Sequence, residues 1–279
     1  MPPFGLTAPI WYGCAAATSA AITIAGLRVR ALSRSGAVAA FCVGLAILGC
    51  GGLAAAAALL VFFASGSILS RLAGPRAADA RAIAHRGSTR DAVQVLCNGG
   101  VAAVAAIAAG IASGAAQASS ERWVAAAVGA LSVAAADTWA TEIGIRSTER
   151  VRSILTLRVV NPGVSGGVTL LGCAASIVGG AAIGLAAAPF APHFAWWRWL
   201  VSCALIGVAG SALDSLLGAT VQGAWYCDAC ARPAEWPAHG CGARTRLTGG
   251  LGWIDNDAVN ALSTLAGAAL GWLIFPYMG

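Results

Sequence analysis

The sequence predicts an all-α, multi-pass integral membrane protein of about eight transmembrane helices. Hydrophobic residues make up 58% of the 279 and charged residues only 10%, whereas roughly a quarter of a soluble domain is charged. The mean hydropathy is +0.78. The arginines fall in short stretches between apolar runs, and a run of about 20 residues is what a hydrocarbon layer of ~30 Å requires. These observations predict one polytopic membrane domain over 1–279, with a small polar loop at 225–255.

The first run, 8–27, has no charged segment before it, so it reads as a membrane helix rather than a cleaved signal. The next, 36–70, carries no charge. As one straight helix it would be about 50 Å long, too long for a single crossing. Gly49-Cys50-Gly51-Gly52 offers a break, giving two short helices. The remaining spans are 91–113, 123–145, 164–188, 196–224 and 256–275.

The net charge of +6 comes wholly from arginine, because the chain has no lysine. With the break in 36–70, fifteen of the seventeen arginines fall on one side and only Arg122 and Arg198 on the other. The positive-inside rule then puts the Arg-rich loops on the cytoplasmic or stromal face and both termini on the opposite face. Arginines distributed in this way speak for membrane topology and against nucleic acid as a partner. Trp196, Trp197 and Trp199 read as anchors at the outer interface. His85 and His193 read as loop surface.

Polar residues gather at the inner ends of the spans. Asp91, Gln94 and Asn98 share one face of a helix start. Asp137 and Glu142 close the span 123–145. Asn161-Pro162-Gly163-Val164-Ser165-Gly166-Gly167 leads into the next. Asp214, Ser215 and Gln222 lie in the inner part of 196–224, and Asp255, Asn256, Asp257 and Asn260 open the last span. Acids in membrane segments are costly and mark functional sites. Hard oxygen donors suit Mg²⁺, which binds through one or two carboxylates plus substrate phosphates. Asp137, Glu142, Asp214 and Asp257 are therefore candidate catalytic and magnesium-binding residues. Capping or ion pairing is the competing role for each, and Asp257 has the strongest case for a cap. Asp137 and Glu142 are about 140° apart on an ideal helix. Both reach one site only if the helix end unwinds or the site wraps around it.

Arg90, Asn98, Arg158, Asn161, Ser165, Gly166, Gly167, Ser215, Asn256 and Asn260 are candidate nucleotide or phosphate contacts. The triplets Asn98-Gly99-Gly100, Ser165-Gly166-Gly167 and Thr248-Gly249-Gly250 each stand near an inner helix start. They read either as anion-binding turns or as small residues for tight helix packing. Loop chemistry before Ser165 favours phosphate contact there. No Walker A motif is present.

Six of the nine cysteines lie in apolar runs and act as small hydrophobes. The others form Cys227-x2-Cys230 with His239-x-Cys241, four ligands for a closed structural zinc site. A disulfide is the alternative, disfavoured on a reducing face.

The motifs Arg34-Ser35-Gly36, Phe62-Phe63-Ala64-Ser65-Gly66-Ser67, the run Arg90–Gly99, Ala136-Asp137-Thr138-Trp139-Ala140-Thr141-Glu142-Ile143-Gly144, Val164–Thr169, Asp214–Thr220 and Asp255–Asn260 occur together and in order. Taken together, the chain resembles the membrane family called domain of unknown function 92. That family includes transmembrane protein 19 and the phytyl-phosphate kinases of plants and cyanobacteria. Ala136 stands where glycine is common and Thr141 where serine is common. The cysteine–histidine loop is similar to one in some microbial members and is missing from animal ones. The resemblance implies a kinase that converts phytyl phosphate, or a related isoprenyl monophosphate, to the diphosphate. Its pathway would be tocopherol and prenylquinone synthesis. A distant likeness to polyprenol kinases implies CTP as donor. It places Asp137 and Glu142 in the signature motif. The expected partners are the prenyl monophosphate, a nucleoside triphosphate and the lipid bilayer. The oligomeric state stays open, a homodimer included. A transporter or scramblase with an acidic relay, and a non-catalytic scaffold, are the alternatives.

Overall fold

The computed structural model describes residues 6–72, 89–114, 117–191 and 195–274. His85, His193 and the arginines at 76, 81 and 86 lie outside the described residues. Among the described residues seven α-helices form the body: α1 (Ala8–Arg28), α2 (Arg34–Arg71), α3 (Ala92–Ala112), α4 (Gln117–Gly144), α5 (Leu170–Ala187), α6 (Trp196–Thr220) and α7 (Asn256–Ile274). Among the described residues, all seven are long and apolar enough to cross a membrane.

The longest helix does not run straight. Gly52 has φ 74° and ψ −168°, a backbone state open to glycine and strained for other residues. The expected break therefore lies at the last residue of the Gly49–Gly52 stretch. Gly36 packs on the backbone of Arg90, while Gly66 packs on the guanidinium of the same arginine. Thirty residues of straight helix would separate the two glycines by about 45 Å. The two halves therefore fold back on one another. Near the bend, Trp11 Nε1 donates to Gly49 O at 3.0 Å. At the open end, Arg71 donates to Val29 O at 2.6 Å.

Helix starts follow their capping residues. Ser33 Oγ accepts from Gly36 N, and Asp91 and Gln94 form a reciprocal capping box. Thr169 Oγ1 accepts from Gly172 N, and Asp255 Oδ1 accepts from Ala258 N at 2.9 Å. Each cap satisfies an orphan N–H group of the first turn. Two starts differ from the sequence reading. The span expected at 123 begins at Gln117, with Gln117 Nε2 donating to Glu121 one turn on. The span expected at 164 begins only at Leu170. The preceding residues are used in a short antiparallel pair, β1 (Arg152–Ser153) with β2 (Gly167–Val168).

The core is centred on α4. Every residue from Ala125 to Ala136 is buried, and α2, α3, α5, α6 and α7 all pack on this helix. Its alanines, glycine and serine let backbones approach closely, which is how membrane helices pack where hydrophobic exclusion is weak. Gly129 sits against Gly267 and Gly271 of α7, while Gly207 of α6 sits against Ala136.

Between α6 and α7 lies a three-stranded antiparallel sheet in the order β4–β3–β5, with β3 Ala224–Cys227, β4 Arg232–Ala234 and β5 Arg246–Gly249. It occupies the segment expected to be a small polar loop.

Candidate functional site

A cavity of about 400 Å³ lies at the end of the bundle that carries the Arg-rich loops. Asp137 and Glu142 of α4 both line it. The last turn of α4 stays helical to Gly144, so the helix end does not unwind. The cavity wraps around it instead. Ser211 Oγ donates to Asp137 Oδ1 at 3.4 Å. Ser70 Oγ donates to Glu142 Oε1 at 2.6 Å. Asp214 and Ser215 of α6 line the cavity from one side, and Arg90, Gln94 and Asn98 from the α3 side. Asn256 and Asn260 contribute from the start of α7, and Ser165, Gly166 and Gly167 close the loop side.

Arg90 is held rather than free. Its guanidinium lies 5.6 Å from the Phe62 ring centroid and 5.9 Å from that of Phe63, distances at which the ring faces attract a cation. Nη1 donates to Ser67 Oγ at 3.4 Å. Burial pulls the guanidinium below its ordinary pKa, while the charge of Glu142 acts in the opposite direction. A planar guanidinium suits carboxylate and phosphate oxygens alike.

Three predicted site residues stand apart. Arg158 and Asn161 are exposed in the loop between β1 and β2 and do not line the cavity. That loop turns through Leu157, at φ 56°, and folds back on itself, with Arg158 O accepting from Ser153 N. Asp257 is buried in the first turn of α7, 8% exposed, and is also outside the lining. The capping role falls to its neighbour Asp255.

The Ser165–Gly167 turn carries more packing than the phosphate reading supposes. Gly166 has φ 78°, and a Cβ there would meet Ala219 Cβ and lie 2.8 Å from Ser215 O. The Ser165 hydroxyl is already engaged. It donates to Glu235 Oε1 at 2.6 Å and accepts from Gln222 Nε2 at 2.9 Å. The proton of that hydroxyl is thus committed to Glu235.

Glu235, Ser70 and Ser211 escaped the sequence reading. Glu235 is the one acid between Cys230 and His239, and that isolation was its only visible signal. The serines carried none.

Asp137, Glu142 and Asp214 converge on the cavity from the helices and Glu235 from the sheet, all hard oxygen donors, with no imidazole lining it among the described residues. This donor set fits Mg²⁺. The cluster in the β3–β5 segment has the opposite chemistry. The ligand atoms of Cys227, Cys230, His239 and Cys241 all lie within 4.8 Å of one another. His239 Nδ1 is 3.2 Å from Cys241 Sγ, and Cys227 Sγ is 3.8 Å from it. All four residues fit one tetrahedral zinc ion, and none of these cysteines is in a disulfide. The hydrogen bond with His239, supported by the Ala243 backbone, holds the Cys241 thiol down to about 6. The neighbouring Cys241 thiol, with burial and Cys227, raises Cys230 to about 11.

The comparisons with known proteins agree with this architecture. The family model described as integral membrane protein DUF92 matches residues 17–268. The chain is 31% identical over 264 residues to Protein PGR of Arabidopsis thaliana, covering 88% of this chain and 90% of that one. It is 28% identical over 153 residues to the uncharacterized membrane protein MJ0933 of Methanocaldococcus jannaschii, covering 53% of this chain and 50% of that one. No solved structure matches. With the match running over nearly every helix and through the whole cavity, the chain belongs to the DUF92 family of integral membrane proteins.

Proposed function

We propose that the cavity transfers a phosphoryl group from a nucleoside triphosphate, CTP foremost, to an isoprenyl monophosphate such as phytyl phosphate, yielding the diphosphate. The observation that carries this reading is the convergence of Asp137, Glu142 and Asp214 with Arg90 in one cavity at the end of a membrane bundle. A lipid-tailed phosphate presents its head at that depth, and its tail belongs in the bilayer.

The acceptor is already an anion, so a general base has little to do. Catalysis of phosphoryl transfer is mostly positioning and charge stabilisation. In this reading Asp137, Glu142 and Asp214 would hold Mg²⁺, which would supply neutralisation of phosphate charge. Arg90 orients the phosphate oxygens from the α3 side. Asn98, Asn256 and Asn260 offer uncharged amides that discriminate among nucleotide and phosphate groups. The zinc ion belongs to the sheet between α6 and α7, where four protein ligands leave no open position for chemistry. The Arg-rich end of the bundle faces the cytoplasm or stroma, where nucleotides are found. A proton or ion relay is less well supported, because transporter sites lie near the midplane and this cavity lies at one end among loop residues.

The test is a panel of prenyl monophosphates of differing chain length with CTP, ATP, UTP and GTP, using purified protein and Mg²⁺. The expected result is Mg²⁺-dependent formation of a prenyl diphosphate, fastest with CTP. Absence of diphosphate across the panel, together with no thermal shift by any nucleotide, overturns the reading.

A further inference from the structure

The sheet that carries the Cys/His cluster also reaches into the cavity. β3 ends at Cys227, whose register partner in β4 is Arg232, and Trp225 pairs with Ala234. Glu235 follows directly, four residues before His239 in the same segment. Its carboxylate lines the cavity. Oε1 accepts from Ser165 at 2.6 Å and lies 3.5 Å from the Gln222 amide nitrogen. Gln222 is only 4% exposed and donates to Ser165 Oγ as well. Its own backbone is pinned, because Leu251, just beyond β5, bridges to it.

A carboxylate is an unfavourable neighbour for phosphate unless it does something else for the site. Here it accepts from a hydroxyl, and hydrogen bonds to a charged acceptor are among the stronger ones. The hydroxyl belongs to the turn whose next residue, Gly166, is in the left-handed region and packed tightly on α6. Glycine occupies that region without strain and can as readily leave it, so the turn is fixed by what packs and bonds on it.

We propose that Glu235 is a positioning residue. It fastens the metal-binding sheet to the Ser165–Gly167 turn, so that ordering of the sheet by its metal sets the loop-side wall of the cavity. This rests on the reading of the cavity as a phosphoryl-transfer site for its kinetic consequence, but not for its structural one. The sheet then does more than connect α6 to α7, because it supplies a wall of the site through one side chain.

The experiment uses the full chain in detergent, with Glu235→Ala, Glu235→Gln and Cys230→Ser beside wild type. Three quantities are read: zinc content, amide hydrogen exchange of the peptide covering 161–168, and steady-state kinetics. Glu235→Ala is expected to keep its zinc and to exchange in 161–168 about tenfold faster, as local opening becomes easier. Its KM for the nucleotide rises about tenfold, with kcat changed less. Glu235→Gln retains an acceptor oxygen and restores both values to near wild type. Cys230→Ser loses zinc and speeds exchange in the same peptide. Unchanged exchange in Glu235→Ala overturns the proposal, whether or not any substrate turns over. Loss of zinc in Glu235→Ala also overturns it, by making Glu235 a support of the sheet alone. Faster exchange with no diphosphate from wild type keeps the positioning role and removes the kinase reading.

Discussion

Glu142 accepts a 2.6 Å hydrogen bond from the hydroxyl of Ser70, seventy-two residues earlier in the chain. The bond ties the last turn of α2 to the last turn of α4. One turn further, Arg146 Nη2 donates to Leu69 O at 2.6 Å. Two helix ends are thus clamped at the rim of the cavity, and Glu142 is oriented by a residue that has no charge of its own.

Ser70→Ala is expected to leave the protein folded and to lower kcat/KM for prenyl phosphate phosphorylation about tenfold, the size of one hydrogen bond to a charged group. Restoration of the rate by Ser70→Thr, measured in the same assay, checks that orientation of Glu142 is the cause.

Asp137→Asn keeps the shape of the side chain and its contact with Ser211 while removing the charge. Transfer from CTP is expected to fall by at least about a hundredfold, with thermal stability in detergent unchanged or slightly raised, since a half-buried charge is lost. Equal rates for mutant and wild type would falsify the catalytic assignment.

Arg90→Lys is not a mild change here. The guanidinium lies over two phenylalanine rings and donates to Ser67, and an ammonium group cannot reproduce that planar contact. KM for the phosphate substrates should rise about tenfold or more, and titration of nucleotide binding should show the same loss in Kd.

Gly166→Ala places a methyl group against Ala219 in a left-handed backbone position. A cost of about 1–3 kcal/mol is expected from the strained backbone alone. The readout is a lower Tm accompanied by lost activity, whereas Gly100→Ala, whose nearest neighbour is Leu96 Cβ at 3.9 Å, should be close to neutral.

The sulfur cluster predicts one zinc per chain by elemental analysis. Strong chelation, or Cys230→Ser, should release it and open the β3–β5 segment to limited proteolysis while the helices stay protected, because the metal supplies the order of so small a sheet.

Much of this arrangement was legible in the order of residues. The helix start at Asp91 and the break before Leu53 follow from local chemistry, because each depends on neighbours a few positions away. Arg158 and Asn161 stand outside the cavity because a motif next to it in sequence need not turn its side chains into it. Asp257 stands outside for a related reason. Asp255 and Asp257 are equivalent as cap candidates on paper, and packing of α7 on the bundle separates them. The contacts of Glu235, Ser70 and Ser211 were not legible because their partners lie 70, 72 and 74 residues away, and no local pattern reports a contact of that range.

The burial of α4 has a consequence for how the protein is made. Two thirds of its most apolar stretch is covered by other helices, 67%, and its hydropathy of 1.3 is far below the 2.4 of α2. Helix α4 is apolar enough to cross a membrane, yet it is made before α5, α6 and α7. Of the helices that pack on it, α2 and α3 are the contacts available first. Substitutions that loosen the α2–α4 contact should then be seen first as chains degraded during biogenesis, ahead of any effect on turnover.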